Sequence, residues 1–492
     1  MKKNIIKVTV FVLVFAVCAL GMRSILRFKY LDSIFKAEMF YEQQEESVDV
    51  LVLGTSHSYQ GINPAVLWDE YGYAAYDLAG SGQPIWNTYY YLEEALKTQT
   101  PKVIILDVLA VSFPYDYSEE SFAIKNTYGL KWSKTKINAI KASVDFEEYG
   151  SQFLIELLQY HSRYSDLDEI DFSSYQANKD MYESHKGFYC YFRTVVTEDK
   201  DYSDVTEATP LSEKNEMYYR MILELAQSND IPIIAVAIPF DANENYIKYF
   251  NSAEAIAEEY GVPFLNFMTD YKEDIGLSYI FDFADNNHLN FRGGEKLTKF
   301  MGSYLQENYS IPDRRGDEAY SSWDDNAEVY YSQVENYNIT QIDNLTDLGE
   351  ALTDERFTVI VTCDGSEVPE KDSLSASIHN FCVYMGIDED LIYKGGVWIF
   401  EEGGLSYYSG LSEELTKYVR FNRYDDAKIT VTEVQGESED ESSIETEIYV
   451  NKTEQSAVSS GLNVYIYDNL TKTTVDSVGF DFSNYELKRA DG

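Results

Sequence analysis

Cysteine and histidine are scarce in this chain: its 492 residues include four cysteines and five histidines. Four cysteines are too few for a disulfide scaffold. Cys18 lies in an apolar segment and Cys190 stands alone, whereas Cys363 and Cys382 are near enough in sequence to pair or to remain buried free thiols. The chain also lacks a Cys-x-x-Cys motif, so we expect no metal site, because zinc centres draw on clustered cysteine and histidine.

Positive charge is scarce as well. The sequence has 39 Lys and Arg against 84 Asp and Glu, a formal net charge of −45. A nucleic-acid-binding protein needs a basic face, so the composition argues against that class, and it argues equally against binding anionic lipid through a polybasic patch. Apolar residues make up 45% of the chain and aromatic residues 15%, which excludes simple disorder. The length predicts two or three domains.

Long apolar runs are absent except at the N terminus, where residues 8–22 are apolar apart from Thr9 and are flanked by basic residues. With Ile5 and Ile6 the stretch is about long enough to cross a bilayer. A cleaved signal peptide and a retained anchor both fit, but basic residues just downstream disfavour cleavage. We expect residues 1–30 to be a single-pass anchor in the cell membrane, with the N terminus in the cytoplasm and the bulk of the chain extracellular.

Short apolar strands alternate with helical patterns from residue 48 to residue 309. The strands fall at 48–54, 74–82, 102–111, 231–240 and 262–267, and the helices at 64–71, 86–97, 244–260 and 291–308. This alternation predicts the α/β class, with a three-layer α/β/α parallel sheet in a domain spanning 31–312. In such sheets the active residues lie beyond the carboxyl ends of the strands.

Three other segments depart from this alternation. Residues 113–215 are rich in Tyr, Phe and acidic residues, and we interpret them as an insertion that either caps the site or meets substrate, or that serves hydrophobic packing alone. Residues 313–334 are polar and irregular and predict a linker. Residues 335–492 predict a smaller C-terminal α+β domain without a catalytic motif, in which 435–447 is a solvated loop.

A serine follows the first predicted strand, in Gly54-Thr55-Ser56-His57. A serine at a strand-to-helix turn is exposed, and the amides at the helix start lie close to its oxygen. This motif alone is a weak signal, because hydroxyls at this position more often cap the helix.

Two further motifs lie before the last predicted helix and after the second predicted strand. In Asp285-Asn286-Asn287-His288 the carboxylate and the imidazole can meet, so Asp285 would orient His288, and His288 would accept the Ser56 proton. The same residues also fit a plain turn, with Asn290 capping the next helix. Glycines 80 and 82 let the backbone present an N–H to an oxyanion, although Gly-rich turns are common.

The order of these motifs resembles that of the SGNH (GDSL-type) hydrolase superfamily over roughly residues 48–309. The resemblance implies a flavodoxin-like sheet, Ser56 as nucleophile, Asp285 and His288 completing a triad, and an oxyanion hole formed by the amides of Ser56 and Gly82, with Gly80 as the alternative donor. It implies no cofactor. One departure is that Asp107 follows the third strand, where the family usually has an asparagine. This departure puts vigorous free hydrolysis in doubt.

Within the superfamily, the anchor, the GTSH motif and the DNNHLNFRGGEK ending look most like the membrane-tethered DltD-like branch, associated with polysaccharide O-acylation. The resemblance implies an extracytoplasmic serine esterase or O-acyltransferase acting on acyl esters of a cell-envelope polysaccharide, and a membrane-bound O-acyltransferase as partner. His57 is a candidate for substrate binding and Asp282 for a turn. The alternative is a non-catalytic envelope protein that binds glycan or an assembly partner. The C-terminal domain faintly resembles the interleukin-like EMT inducer (ILEI) domain.

Overall fold

A computed structural model of the chain describes residues 2–29, 31–167, 171, 185–365, 376–411, 415–422, 425–435, 442–483 and 485–490. The chain forms two compact units, residues 1–330 and 331–492.

Five parallel strands form the central sheet of the first unit: β1 (Val50–Leu53), β2 (Ala75–Asp77), β3 (Val103–Asp107), β4 (Ile233–Ala237) and β5 (Phe264–Asn266). Their order is β2-β1-β3-β4-β5, the doubly wound order of flavodoxin-like folds. Every residue of β1, β3 and β4 is buried, as expected for strands covered on both faces. The predicted α/β class is therefore confirmed.

Four helices lie where the sequence predicts them: α4 (Pro64–Tyr71), α5 (Ile85–Ala95), α11 (Glu244–Glu259) and α12 (Phe291–Asn308). The structure adds α3 (Ser56–Gly61) directly after β1 and α10 (Glu213–Ser228) before β4, and α6–α9 lie in the insertion, within residues 120–160. Local sequence sets the bounds of α4. The Asn63 side chain accepts from the Ala65 amide at 2.9 Å, Pro64 begins the helix, and Gly72 ends it with φ of 72°. One face of the sheet packs with Leu67 of α4 and Leu297 of α12 in a single apolar core.

The chain begins with α1 (Lys2–Leu26). Within the described residues, Ile5–Leu26 is the one helix long and apolar enough to cross a membrane. Its length and composition suit either a single-pass anchor or a signal sequence. After a short π-helical turn, Leu31–Phe35, α2 (Lys36–Phe40) leads into β1.

The first part of the insertion contains four helices, α6 (Glu120–Lys125), α7 (Lys134–Ser143), α8 (Phe146–Leu154) and α9 (Glu156–Tyr160), whereas its described residues 188–212 form no helix. The segment predicted as an irregular linker, 313–334, differs from that prediction, because α13 (Ser321–Ile339) occupies much of it. The indole of Trp323 on this helix is buried and donates to the carbonyl of Ala75 at 2.9 Å. Aromatic side chains at helical spacing stabilise this segment despite its polar composition.

The second unit has mixed character. Its helices are α14 (Leu345–Ala351), α15 (Ala376–Met385) and α16 (Glu389–Ile392). A six-stranded sheet has the order β10-β9-β8-β15-β16-β17, and a four-stranded antiparallel sheet has the order β11-β12-β13-β14. The strands are β8 (Phe357–Cys363), β9 (Gly396–Glu401), β10 (Gly404–Gly410), β11 (Leu415–Arg420), β12 (Asp426–Gln435), β13 (Ser442–Val450), β14 (Thr453–Glu454), β15 (Leu462–Asp468), β16 (Thr473–Asp481) and β17 (Glu486–Arg489).

The structure tests two predictions about the second unit. Part of the predicted loop 435–447 is strand, because β13 pairs with β12 from Ser442 onward, while 436–441 lie outside the described residues. Cys363 and Cys382 are both buried and free, so the alternative of buried thiols holds.

Candidate active site

The turn between β1 and α3 presents Ser56. Gly54 has φ of +146°, and a Cβ at this position would lie 2.6 Å from the Asp107 Cβ, so the turn requires glycine. Thr55 caps α3, and its Oγ1 accepts from the His57 amide at 3.2 Å. Ser56 is therefore the first helical residue, and it is the one partly exposed residue in a buried run from 50 to 60.

A tight hairpin places the other two predicted residues together. It consists of β6 (Phe283–Asp285) and β7 (His288–Leu289), in which Asp285 and His288 are cross-strand neighbours. Asn290 then caps α12, accepting from the Arg292 amide at 3.0 Å. The carboxylate and the imidazole thus extend from the same short ladder, just before the helix that packs against the core.

The three side chains form a hydrogen-bonded chain. His288 Nε2 lies 2.9 Å from Ser56 Oγ, and His288 Nδ1 lies 2.9 Å from Asp285 Oδ1. Asp285 Oδ1 also accepts from the Asn287 amide at 2.8 Å, which fixes the carboxylate plane. The structure therefore brings all three sequence-predicted residues together, in the order of nucleophile, base and orienting acid.

The protonation states of Asp285 and His288 suit the roles of orienting acid and base. Burial lowers the pKa of His288 below its ordinary value, although Asp285 partly counteracts this effect. Burial alone would raise the pKa of Asp285, but the Asn287 amide and the imidazole outweigh it and hold that pKa below its usual range. At neutral pH the pair is an ionised carboxylate beside a neutral imidazole, the form that can accept a proton from Ser56.

A segment at the end of the insertion crosses the site. It runs from Tyr189 to Thr197 and is fixed by backbone hydrogen bonds on both sides. The Tyr189 amide donates to the Tyr59 carbonyl on α3 at 2.9 Å, and the Phe291 amide donates to the Tyr191 carbonyl at 3.0 Å. We call residues 189–197 the strap.

Arg193 on the strap contacts the triad directly. Its Nη2 donates to Asp285 Oδ2 at 2.6 Å, so the second carboxylate oxygen is bonded as well. The guanidinium lies 4.7 Å from the Tyr191 ring centroid, and that ring lies 6.2 Å from the His288 ring. Arg193 also lowers the pKa of His288, a smaller effect than that of burial. The sequence analysis missed this residue, and no spacing or motif marks it.

Asp107, at the end of β3, occupies the position where an asparagine was expected. Its Oδ2 accepts from the Thr55 hydroxyl at 2.8 Å and from the Thr55 amide at 3.2 Å, and its Oδ1 accepts from the Leu109 amide at 3.1 Å. Burial raises its pKa to about 6 against these hydrogen bonds. Asp107 therefore holds the nucleophile turn in place and points its oxygens at donors within the protein.

The glycine turn after β2 lies beside the nucleophile turn, since the Gly80 amide donates to the Gly54 carbonyl at 3.4 Å. Gly82 has φ of +53°, and a Cβ there would lie 2.5 Å from the Phe122 ring of α6. The Asn126 side chain donates to the Ser81 carbonyl at 3.0 Å, a contact that the sequence analysis also missed. Among the described residues, the amides of Ser56 and Gly82 donate to no acceptor, as oxyanion donors require.

His57 and Asp282 lie beside the triad in different ways. His57 is buried, with its ring centroid 5.5 Å from that of His288 and 4.8 Å from that of Phe240. Burial lowers its pKa to about 3, so its imidazole is neutral. Asp282 closes a turn, and its Oδ2 accepts from the Ser278 amide and from Lys296 Nζ, both at 2.6 Å. Substrate binding by His57 stays a prediction.

The arrangement fits nucleophilic acyl chemistry, because a hydroxyl is hydrogen-bonded to a neutral base and the glycine turn with its unused Gly82 amide lies beside the nucleophile turn. Within the described ranges, no group of three or more His, Cys, Asp or Glu residues is placed to hold a metal ion.

Comparisons with known proteins add little to this geometry. No known family and no curated protein sequence matches the chain. A crystal structure from Bacteroides fragilis NCTC 9343, of a protein described provisionally as an acylhydrolase, is similar to it at 11% sequence identity with a TM-score of 0.30. The similarity covers 57% of this chain and 99% of that chain. At this TM-score the likeness supports no conclusion about activity.

Proposed function

We propose that this protein is a membrane-anchored serine esterase or O-acyltransferase that moves a small acyl group on or off a cell-envelope polysaccharide. The observation that supports the proposal is the chain of two 2.9 Å contacts from Ser56 through His288 to Asp285. The location follows from α1 acting as a retained anchor.

In the proposed reaction, Ser56 Oγ attacks the acyl carbonyl while His288 Nε2 takes its proton. The amides of Ser56 and Gly82 donate to the oxyanion of the tetrahedral intermediate. His288 then returns the proton to the departing alkoxide, which leaves as an alcohol, and an acyl-Ser56 ester remains. Asp285 stabilises the imidazolium during both transfers.

The second half-reaction decides between hydrolysis and transfer. Water, deprotonated by His288, would release the free acid, whereas a sugar hydroxyl would give a new ester. We favour transfer, because the carboxylate of Asp107 replaces an amide that would stabilise the oxyanion, and because the insertion contacts the site at Gly82 and at Asp285. The acyl donor would reach the site with a membrane-bound O-acyltransferase as partner.

Labelling of the full chain with a serine-reactive fluorophosphonate tests the proposal. We expect labelling at Ser56, located by peptide mass spectrometry, and its loss in Ser56→Ala and in His288→Ala. Ser58→Ala is the matched control, because Ser58 lies on the same helix but its buried hydroxyl donates to the Thr55 carbonyl at 2.8 Å. That variant should be labelled like the wild type.

Turnover of p-nitrophenyl acetate, with and without an oligosaccharide acceptor, then separates the two reactions. Faster release of nitrophenol and an acetylated sugar would indicate transfer, and acceptor-independent turnover would indicate an esterase. If the folded wild type shows neither labelling nor turnover, the triad is not catalytic and the non-enzymatic glycan-binding or assembly role takes its place.

A further inference from the structure

The end of α1 is embedded in the insertion. Leu26 is buried in an apolar cluster with Ile140, Phe153 and Tyr160. Arg23 Nη2 lies 2.8 Å from Glu156 Oε2 at the start of α9. The insertion is therefore attached to the helix at the level where its apolar stretch gives way to charge.

A second contact fixes the chain just beyond this level. Arg163 Nη1 donates to the carbonyls of Leu26 and Arg27, at 2.9 and 2.8 Å. Because Glu156 also pairs with Lys136 at 2.8 Å, and the Lys136 ammonium lies 5.1 Å from the Trp132 ring, α1, α7 and α9 form one connected group.

Large apolar side chains are exposed on this same group. Four of them lie next to the residues that hold α1 and are between 46% and 74% exposed: Trp132, Ile155, Leu158 and Tyr164. Ile155 directly precedes Glu156, and Tyr164 directly follows Arg163. Tryptophan and tyrosine with aliphatic neighbours are the side chains that occupy the interface of a bilayer.

One stretch of this group is basic, in contrast to the whole chain. Residues 121–144 contain five lysines and no acidic residue, although the chain as a whole has a net charge of −45. Lys131 and Lys134, on either side of Trp132, are both exposed. A basic stretch therefore lies on this group, although the composition of the whole chain argued against a polybasic lipid-binding patch.

We propose that a basal surface, consisting of Trp132, Ile155, Leu158 and Tyr164 with Lys131 and Lys134, rests in the interfacial region of the bilayer that α1 crosses and binds anionic headgroups there. The apolar part of α1 ends at Arg23, so the headgroup level lies at the Arg23–Glu156 contact, beside these side chains. The surface holds the insertion against the membrane independently of any chemistry at Ser56. The proposal requires that α1 is retained as an anchor.

Tryptophan fluorescence of the full chain in nanodiscs tests this placement. All five tryptophans lie in described residues, and Trp132 is 55% exposed whereas the other four are at most 2% exposed. The difference between the wild type and Trp132→Phe therefore isolates Trp132. We expect roughly half or more of this signal to be quenched by lipids brominated near the headgroup, and less by lipids brominated near the chain ends, because interfacial indoles lie at headgroup depth.

Lysine variants test the headgroup part of the proposal. In nanodiscs of phosphatidylcholine and phosphatidylglycerol, Lys131→Glu with Lys134→Glu should reduce the quenching, and in phosphatidylcholine alone it should have a smaller effect. Lys452→Glu with Lys472→Glu, two exposed lysines of the second unit, is the matched control. Equal Trp132 fluorescence in brominated and ordinary lipid, or failure of the chain to enter nanodiscs because α1 is cleaved, would overturn the proposal.

Discussion

Replacement of Arg193 by glutamine should raise the pKa of His288. The guanidinium donates to Asp285 Oδ2 at 2.6 Å, while His288 Nδ1 lies 2.9 Å from the other carboxylate oxygen. Arg193 therefore opposes the positive charge that His288 acquires when it takes a proton, and this is one of the effects that lower its pKa. Glutamine keeps a donor near Asp285 and removes the charge.

The size of the effect follows from Coulomb's law. The contacts of 2.6 Å and 2.9 Å on the two carboxylate oxygens separate the guanidinium from the imidazole by the width of the carboxylate. Unit charges roughly 7 Å apart interact by roughly 0.6 kcal/mol in water and roughly 2.4 kcal/mol at an effective dielectric constant of about 20. The Arg193 side chain is 57% exposed, so the value in water applies. About 0.6 kcal/mol is less than the roughly 1.4 kcal/mol that corresponds to one pKa unit, so the rise in the pKa of His288 should be modest.

The assay is the second-order rate of fluorophosphonate labelling of Ser56, measured as a function of pH in the full chain. The rate depends on neutral His288, so the acid limb of the profile should move to higher pH in Arg193→Gln. Arg220→Gln is the control, because Arg220 pairs with Glu216 and Glu259 on helices away from the triad. An acid limb that stays in place or moves down would refute the electrostatic role of Arg193.

Three further changes have defined outcomes. Gly54→Ala should lower the unfolding free energy by about 2 kcal/mol or more and abolish labelling, because φ is +146° and Asp107 blocks the Cβ. Its control is Gly276→Ala, where φ is +59° and the Cβ meets open space, so this variant should lose about 1 kcal/mol and keep labelling. Urea titration measures the unfolding free energies, and the fluorophosphonate probe measures labelling. Burial raises the pKa of Asp107 from 3.8 to about 6, so ionisation of this residue destabilises the fold as pH rises through this range. The unfolding free energy of the wild type relative to Asp107→Asn should therefore fall by up to about 3 kcal/mol from acid to neutral pH. A difference in unfolding free energy that stays constant with pH would contradict this expectation. Burial raises the pKa of both Cys363 and Cys382 to about 12, so neither should react with Ellman's reagent before unfolding, and rapid modification of either would show that these thiols are accessible.

The strands of the central sheet, four of its helices and the three residues Ser56, His288 and Asp285 could be predicted from the sequence, because each depends on local patterns. The strands β1 and β3 are short apolar runs that are buried on both faces, and glycine or polar turns bound them. Asp285 and His288 are three residues apart and meet within one hairpin, so their spacing alone indicated the contact. Ser56 lies where a parallel strand ends, the position at which such sheets place reactive groups.

The parts that the sequence did not predict depend on contacts between distant segments. Arg193 lies 92 residues from Asp285 in sequence, and only the backbone hydrogen bonds of the strap bring it to the carboxylate. The helix α13 was hidden by polar and acidic residues, although Trp323 and Tyr330 are buried on it. In both cases the deciding interaction is tertiary packing, which single-sequence patterns do not encode.

Asp107 lies where the resemblance led us to expect an asparagine, and this residue would determine how an oxyanion is stabilised in the proposed reaction. An ionised carboxylate accepts hydrogen bonds and donates none, and the oxygens of Asp107 are already bonded to Thr55 and to the Leu109 amide. The amides of Ser56 and Gly82 would therefore act without a third donor, and in serine hydrolases the loss of one donor lowers kcat by about 10²–10³-fold. A reaction slowed to this extent with water gains most from an acceptor that is bound and oriented before attack. In the proposed reaction, the aspartate that holds the nucleophile turn would therefore favour transfer to a bound sugar hydroxyl over hydrolysis.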